Sequence, residues 1–201
     1  MSLLSFIITS RFNVEWRNYE EPMKQPILIS ITGMDRLGIT ASITDVLAKF
    51  NVNILDIGQS VIHDALSLGM LVQLPDESEA DIVKQAVQMK IDELGMTVRF
   101  VDIAHESYEN WVGGQGKARH IVTLLARRIT AHQISRLSRT VVENGLNIDK
   151  ITRLSGRVPL GNINGDGQAC VEFSLRGSVK DLPSLRREFL SLANEINVDI
   201  A

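Results

Sequence analysis

The sequence predicts an α+β fold made of two βαββαβ units in tandem, each an antiparallel sheet with both helices on one face. Two observations carry that prediction. Apolar residues fall in short β-branched runs and then switch to helical spacing, in the order strand, helix, strand, strand, helix, strand, twice over. A shift of 94 positions also lays one half on the other, placing Ile27 on Ile121, Ile43 on Leu137, Leu47 on Val141, and Val52-Asn53-Ile54 on Leu146-Asn147-Ile148. A repeated apolar-Asn-Ile after a helix stop is more than shared hydrophobicity, and points to an internal duplication.

Ile27 to Ile31 is an apolar run closed by Thr32-Gly33 and reads as a buried strand. From Leu37 to Phe50, residues Ile39, Ile43, Val46, Leu47 and Phe50 share one helical face. Asn51-Val52-Asn53 ends the helix, and Ile54–Ile62 and Leu66–Leu74 form two strands around a turn at His63-Asp64. After the helix entry at Pro75-Asp76-Glu77-Ser78, Ile82, Val83, Ala86, Val87 and Ile91 give a second amphipathic face. Gly95 stops it, and Val98, Phe100 and Ile103 alternate as the fourth strand.

The second unit repeats the order. His120–Leu125 is a strand, and Ala131–Asn144 a helix with Ile134, Leu137, Val141 and Val142 inward, stopped by Gly145. Leu146–Leu154 and Ala169–Leu175 are middle strands, Leu182–Asn194 is the second helix, and Val198 and Ile200 begin the last strand. The stretch Gly161–Gly167, GNINGDG, lacks the acidic ladder of a calcium loop and suits a hairpin turn. This sets the domains as 25–105 and 119–201, with 106–118 a linker whose Tyr108 and Trp111 pack on a domain surface. Residues 1–24 are read as a leader, disordered or vector-derived, with Met23 as a start.

Composition narrows the function classes. The 201 residues are 44% hydrophobic and 22% charged, which is ordinary for a globular protein. A net charge of −3 and a pI near 5.8 argue against a nucleic-acid partner. The single Cys170 fits a reducing cytoplasm, and no run approaches the roughly 18 apolar residues of a membrane span. His63, His105, His120 and His132 share no metal-ligand spacing, and no nucleophile elbow or phosphate loop occurs. No catalytic residue and no metal ligand is assigned. Arg186-Arg187, near Asp181 and Glu188, reads as a solvated face.

One loop stands out. Gly33-Met34-Asp35-Arg36-Leu37-Gly38-Ile39-Thr40 joins the first strand to the first helix. Asp35 can cap the helix, or its carboxylate can receive an ammonium group. Gly38 lets a ligand reach backbone amides at the helix N-terminus, where the dipole favours a carboxylate. At the shifted positions Asp35 meets Ile129 and Gly38 meets His132, so the loop Arg127-Arg128-Ile129-Thr130 lacks both features while the same strand and helix recur. The fold therefore does not demand them, and function becomes the better reading of the first loop.

The strand, the D-x-x-G of Asp35-Arg36-Leu37-Gly38, the helix and Val52-Asn53-Ile54 resemble the ACT-domain family of amino-acid sensors, ferredoxin-like βαββαβ modules. Ile54-Leu55-Asp56-Ile57-Gly58-Gln59, Leu66-Ser67-Leu68-Gly69, Trp111-Val112-Gly113, Gly145-Leu146-Asn147-Ile148-Asp149, Arg153-Leu154-Ser155-Gly156-Arg157 and Cys170-Val171-Glu172-Phe173-Ser174 narrow it. This ordered set is similar to the N-terminal tandem ACT region of long bacterial phosphoserine phosphatases, over about residues 25 to 201.

The resemblance implies an amino-acid sensor in serine biosynthesis, with L-serine as the ligand. It implies a site formed by Asp35, Arg36, Leu37, Gly38, Ile39 and Thr40, with Asn53 or Gln59 from a facing unit, and a homodimer through ACT–ACT pairing. It also implies a haloacid-dehalogenase-type domain, with magnesium at a D-x-D-x-T/V motif. No such motif occurs in this chain, so no enzyme activity and no cofactor are expected of it. The alternative is a stand-alone tandem regulator of the glycine-cleavage-repressor type, acting through protein partners. A third reading is a purely structural dimerisation module.

Overall fold

The computed structural model describes residues 25–116, 118–157 and 168–201. They form two compact units, divided near Trp111. In the first, β1 (Ile27–Met34), α1 (Ile39–Ala48), β2 (Asn53–Ile62), β3 (Ala65–Gln73), α2 (Ala80–Glu93) and β4 (Thr97–Asp102) follow in order. Their strands make an antiparallel sheet ordered β2-β3-β1-β4. Alternation along β1 buries Ile27, Ile29 and Ile31 with Ile39, Ile43 and Leu47 of α1 and Val83, Val87 and Ile91 of α2. At roughly 1.5–3 kcal/mol for each fully buried aliphatic side chain, this single layer supplies most of the drive to fold.

The second unit comprises β5 (Arg119–Ala126), α4 (Ala131–Glu143), β6 (Asn147–Arg153), β7 (Ala169–Arg176), α5 (Leu182–Ile196) and β8 (Asp199–Ile200), with α3 (His105–Gly114) preceding it. Its sheet is ordered β6-β7-β5-β8, and its core gathers Val122, Leu124, Leu137, Val141, Phe173 and Phe189. The two units thus share the predicted fold. The stretch read as a linker carries α3, in which the Tyr108 and Trp111 rings lie 6.0 Å apart and no residue is buried. Gly161–Gly167 lies outside the described residues.

The structure corrects three details. Val83, Val87 and Ile91 are spaced by four and face inward, which turns Ile82 out to 57% exposure; likewise Leu137 and Val141 turn Val142 out to 67%. Ile121 is exposed where Ile27 is buried. The cause is a single-residue slip. Ile29 pairs with Met70, which pairs with Ile57, and Val122 pairs with Phe173, which pairs with Ile151. Val122 is therefore the counterpart of Ile29, one residue short of the 94-residue shift that aligns the helices and second strands. A slip of one exchanges the faces of a strand, so His120 takes the place of Ile27. The shift does hold at the second strands, which bulge at matching positions, between Ile54 and Asp56 and between Ile148 and Lys150.

Candidate functional site

Antiparallel pairing of β1 with β3 sets Met34 opposite Ala65, so the end of β1 meets the tip of the β2–β3 hairpin. The Asp35 N–H donates to the Asp64 carbonyl at 2.7 Å and fixes the loop there. Arg36 reaches the other way: its Nη2 donates to the Leu94 carbonyl at the C-cap of α2. That contact satisfies a carbonyl that a helix end would otherwise leave open. Leu37 at the loop tip is fully exposed.

Gly38 then sets the geometry. It is the N-cap of α1, with φ 84° and ψ 3°, a left-handed conformation that costs other residues about 1–2 kcal/mol. A Cβ there would meet nothing within 4 Å, so the glycine serves the backbone and not the packing. No side chain caps α1. Asp35 is thus not the helix cap; its carboxylate is exposed and takes no hydrogen bond among the described residues. The first N–H groups of the helix open, with the positive end of its dipole, into the same space.

Across that space, Thr40 Oγ1 donates to Gln59 Oε1 at 2.6 Å, tying the first turn of α1 to β2. The Gln59 carbonyl is used by this bond, which leaves its amide N–H groups for another acceptor. Residues Asp35 to Ala41, Gln59 and Leu66 line a cleft of about 550 Å³. The structure therefore brings Asp35, Gly38, Ile39, Thr40 and Gln59 together, places Arg36 and Leu37 on the rim, and buries the Ile39 side chain in the core. Asn53 is elsewhere: it pairs with Gln73 at the far end of β2, about 20 Å from Gln59 by strand rise.

Sequence reading saw His63-Asp64 only as a turn. In the structure His63 Nδ1 lies 2.6 Å from Asp64 Oδ1, beside the Asp35 anchor. The hydrogen bond and charge of Asp64 raise the His63 pKa, and the His63 hydrogen bond lowers that of Asp64. The pairing could be found only once β1 and β3 were known to be neighbours.

The second unit handles the same junction differently. Thr130 is an extended N-cap whose hydroxyl accepts from the Gln133 N–H, while Gln133 Oε1 accepts from the Thr130 N–H. This capping box occupies amides that α1 leaves open. Gln133 Nε2 also lies 3.4 Å from the Ile196 carbonyl, near the end of α5. The counterpart of Gln59 is Arg153, which donates to the Gly156 carbonyl. Among the described residues no three His, Cys, Asp or Glu groups cluster to hold a metal, and no helix is long and apolar enough to cross a membrane.

Comparison with known proteins adds the family. Two family models described as ACT domain match residues 25–101 and 118–201. The chain is 34% identical over 135 residues to phosphoserine phosphatase SerB2 of Mycobacterium tuberculosis, covering 67% of this chain and 32% of that protein. It is 30% identical over 175 residues to a phosphoserine phosphatase of Streptomyces coelicolor, covering 87% and 39%. The chain thus spans little more than a third of those enzymes' lengths. A UPF0237 protein of Pyrobaculum aerophilum is 43% identical over 68 residues, covering 34% of this chain and 72% of its own. Among solved structures, an unknown protein from Galdieria sulphuraria shares the fold at TM-score 0.69 and 14% identity, covering 89% of this chain and 96% of its own. A structure provisionally named as a glycine cleavage system transcriptional repressor does so at TM-score 0.63 and 16% identity, with the same coverage.

Proposed function

The chain belongs to the ACT-domain family through both of its units, and we propose that the first unit of this regulatory module binds free L-serine in the cleft at the head of α1. The observation that carries the reading is the pairing, in one cleft, of an unengaged Asp35 carboxylate with a helix N-terminus that no side chain caps. A zwitterion needs both: a carboxylate for its ammonium group and N–H donors for its carboxylate. The Thr40–Gln59 pair offers a small polar wall, suited to a hydroxymethyl side chain. A second chain supplies the outer wall in a homodimer, which gives Asn53 a route to the ligand that its own unit denies it.

Serine as the ligand is supported by the two phosphatase relatives, whose sequence similarity extends over the tandem region. In a phosphoserine phosphatase serine is the product, so binding here reports product to a catalytic domain that holds its own magnesium. For that report to matter, serine must favour one arrangement of the units over another. Isothermal calorimetry with L-serine on the natural chain and on Asp35→Ala tests the site: heat for the former and loss for the latter is expected, and equal heats would sink it. The repressor-like structure offers a second reading, a regulator acting through protein partners in the cytoplasm, but its likeness is one of fold. No heat with any common amino acid would favour a module of that kind.

A further inference from the structure

The fourth strands of the two units differ in extent. β4 pairs with β1 from Ile27 to Thr32, whereas β8 pairs with β5 only at Leu124 and Leu125. Thr123 exchanges both backbone hydrogen bonds with Ala201. In an antiparallel ladder residues of the same parity face the same neighbour, so the N–H and C=O of Ile121 and Arg119 point to this side, where no described strand pairs with them. An unpaired edge of this kind is a template for a further strand.

The first unit shows what such a strand brings. The residues in left-handed conformation that follow α2 and α5, Gly95 and Asn197, put Val98 in register with Ile200 and Lys84 with Arg186. Two residues beyond Val98, Phe100 packs on the first core; two further, Asp102 pairs with Lys84 at 2.7 Å. At the matching place in the second unit there is a cavity of about 480 Å³, lined by His120, Leu185, Arg186, Phe189, Ile200 and Ala201. His120 Nε2 is buried there without a partner, and Arg186 makes no ion pair among the described residues.

We infer that this edge of β5 docks an extended segment of another polypeptide, antiparallel to β5, with a large apolar residue followed two positions later by a carboxylate. The backbone of Ile121 supplies the ladder hydrogen bonds, the apolar side chain fills the cavity over Phe189, and the carboxylate meets Arg186 and His120 Nε2. This is strand addition with side-chain pockets giving selectivity. It involves the second unit alone and does not depend on serine binding in the first.

The test is amide hydrogen exchange at Ile121 in the full chain, with a synthetic peptide copying Phe100–Ala104. Millimolar peptide should slow that exchange by about tenfold, as expected at several times its dissociation constant, and a version with Asp102→Lys should not. A second arm appends the same five residues after Ala201, where proximity raises their effective concentration. Protection in both arms supports the inference. Protection only when appended would show that the edge takes a strand from its own chain alone, which overturns docking by another polypeptide. No protection in either arm overturns the edge itself. Exchange that slows with protein concentration, without peptide, would assign the edge to a second copy and also overturn it.

Discussion

The first loop of each unit carries a strand of the same kind into a helix of the same kind, yet the two helix heads end in opposite states. At α4 Thr130 and Gln133 close the amides with a reciprocal pair of hydrogen bonds. At α1 Gly38 turns left-handed, no side chain reaches the amides, and Asp35 stays unengaged beside them. A capping side chain is worth about 1 kcal/mol, so the open end of α1 is a local cost that its own unit does not recover. Duplicated units that differ just there teach that the fold needs a helix start but not an open one.

That contrast can be broken by mutation. The largest effect is expected from Asp35→Ala, which should weaken L-serine by about 10- to 100-fold, the range for losing a hydrogen bond to a charged group, with little change in melting temperature. Calorimetry and a thermal melt together check it. Next, Gly38→Ala should destabilise the first unit by about 1–2 kcal/mol, because its Cβ is free of clash but its φ is not. Denaturant unfolding followed at the first unit's amides would show this, and a stabilised variant would refute the conformational argument. Thr130→Ala should cost the second unit about 1 kcal/mol and leave serine affinity unchanged. Loss of serine binding in that variant would mean the two loops are not separate in function.

The smallest effect lies at the hairpin tip. His63 has its pKa raised above its ordinary 6.5, so its share of stability is full below that value and lost as pH rises through the raised value. Asp64 is lowered from 3.8, so its share is present above that value and lost as pH falls through the lowered one. The pair is therefore complete between about those two ordinary values and weakens on either side. An NMR titration of the His63 ring should give a midpoint above 6.5 that returns toward it in Asp64→Asn. Because the pair is exposed, salt should shrink the difference.

Much of this was legible in the residues. Alternation in β1 and four-residue spacing in α1 and α2 place the core, because burial on one face leaves a periodic trace. The lost Asp and Gly of the second loop were also visible by comparing halves. What periodicity could not show is which backbone atoms remain unused. Asp35 read equally as a cap, and only the left-handed Gly38 shows that it is not one. The one-residue slip that exposes Ile121 was hidden because isoleucine looks the same on either face of a strand. The Asp35–Asp64 anchor joins residues brought together by topology, which spacing along the chain does not encode.

The most direct test is an amide-resolved NMR titration of the full chain with L-serine. The account predicts progressive shifts at Ile39 and Thr40, with the Gln59 side-chain amide, while Ala131 to Gln133 stay still. Shifts at the head of α4, or none at the head of α1, would contradict it.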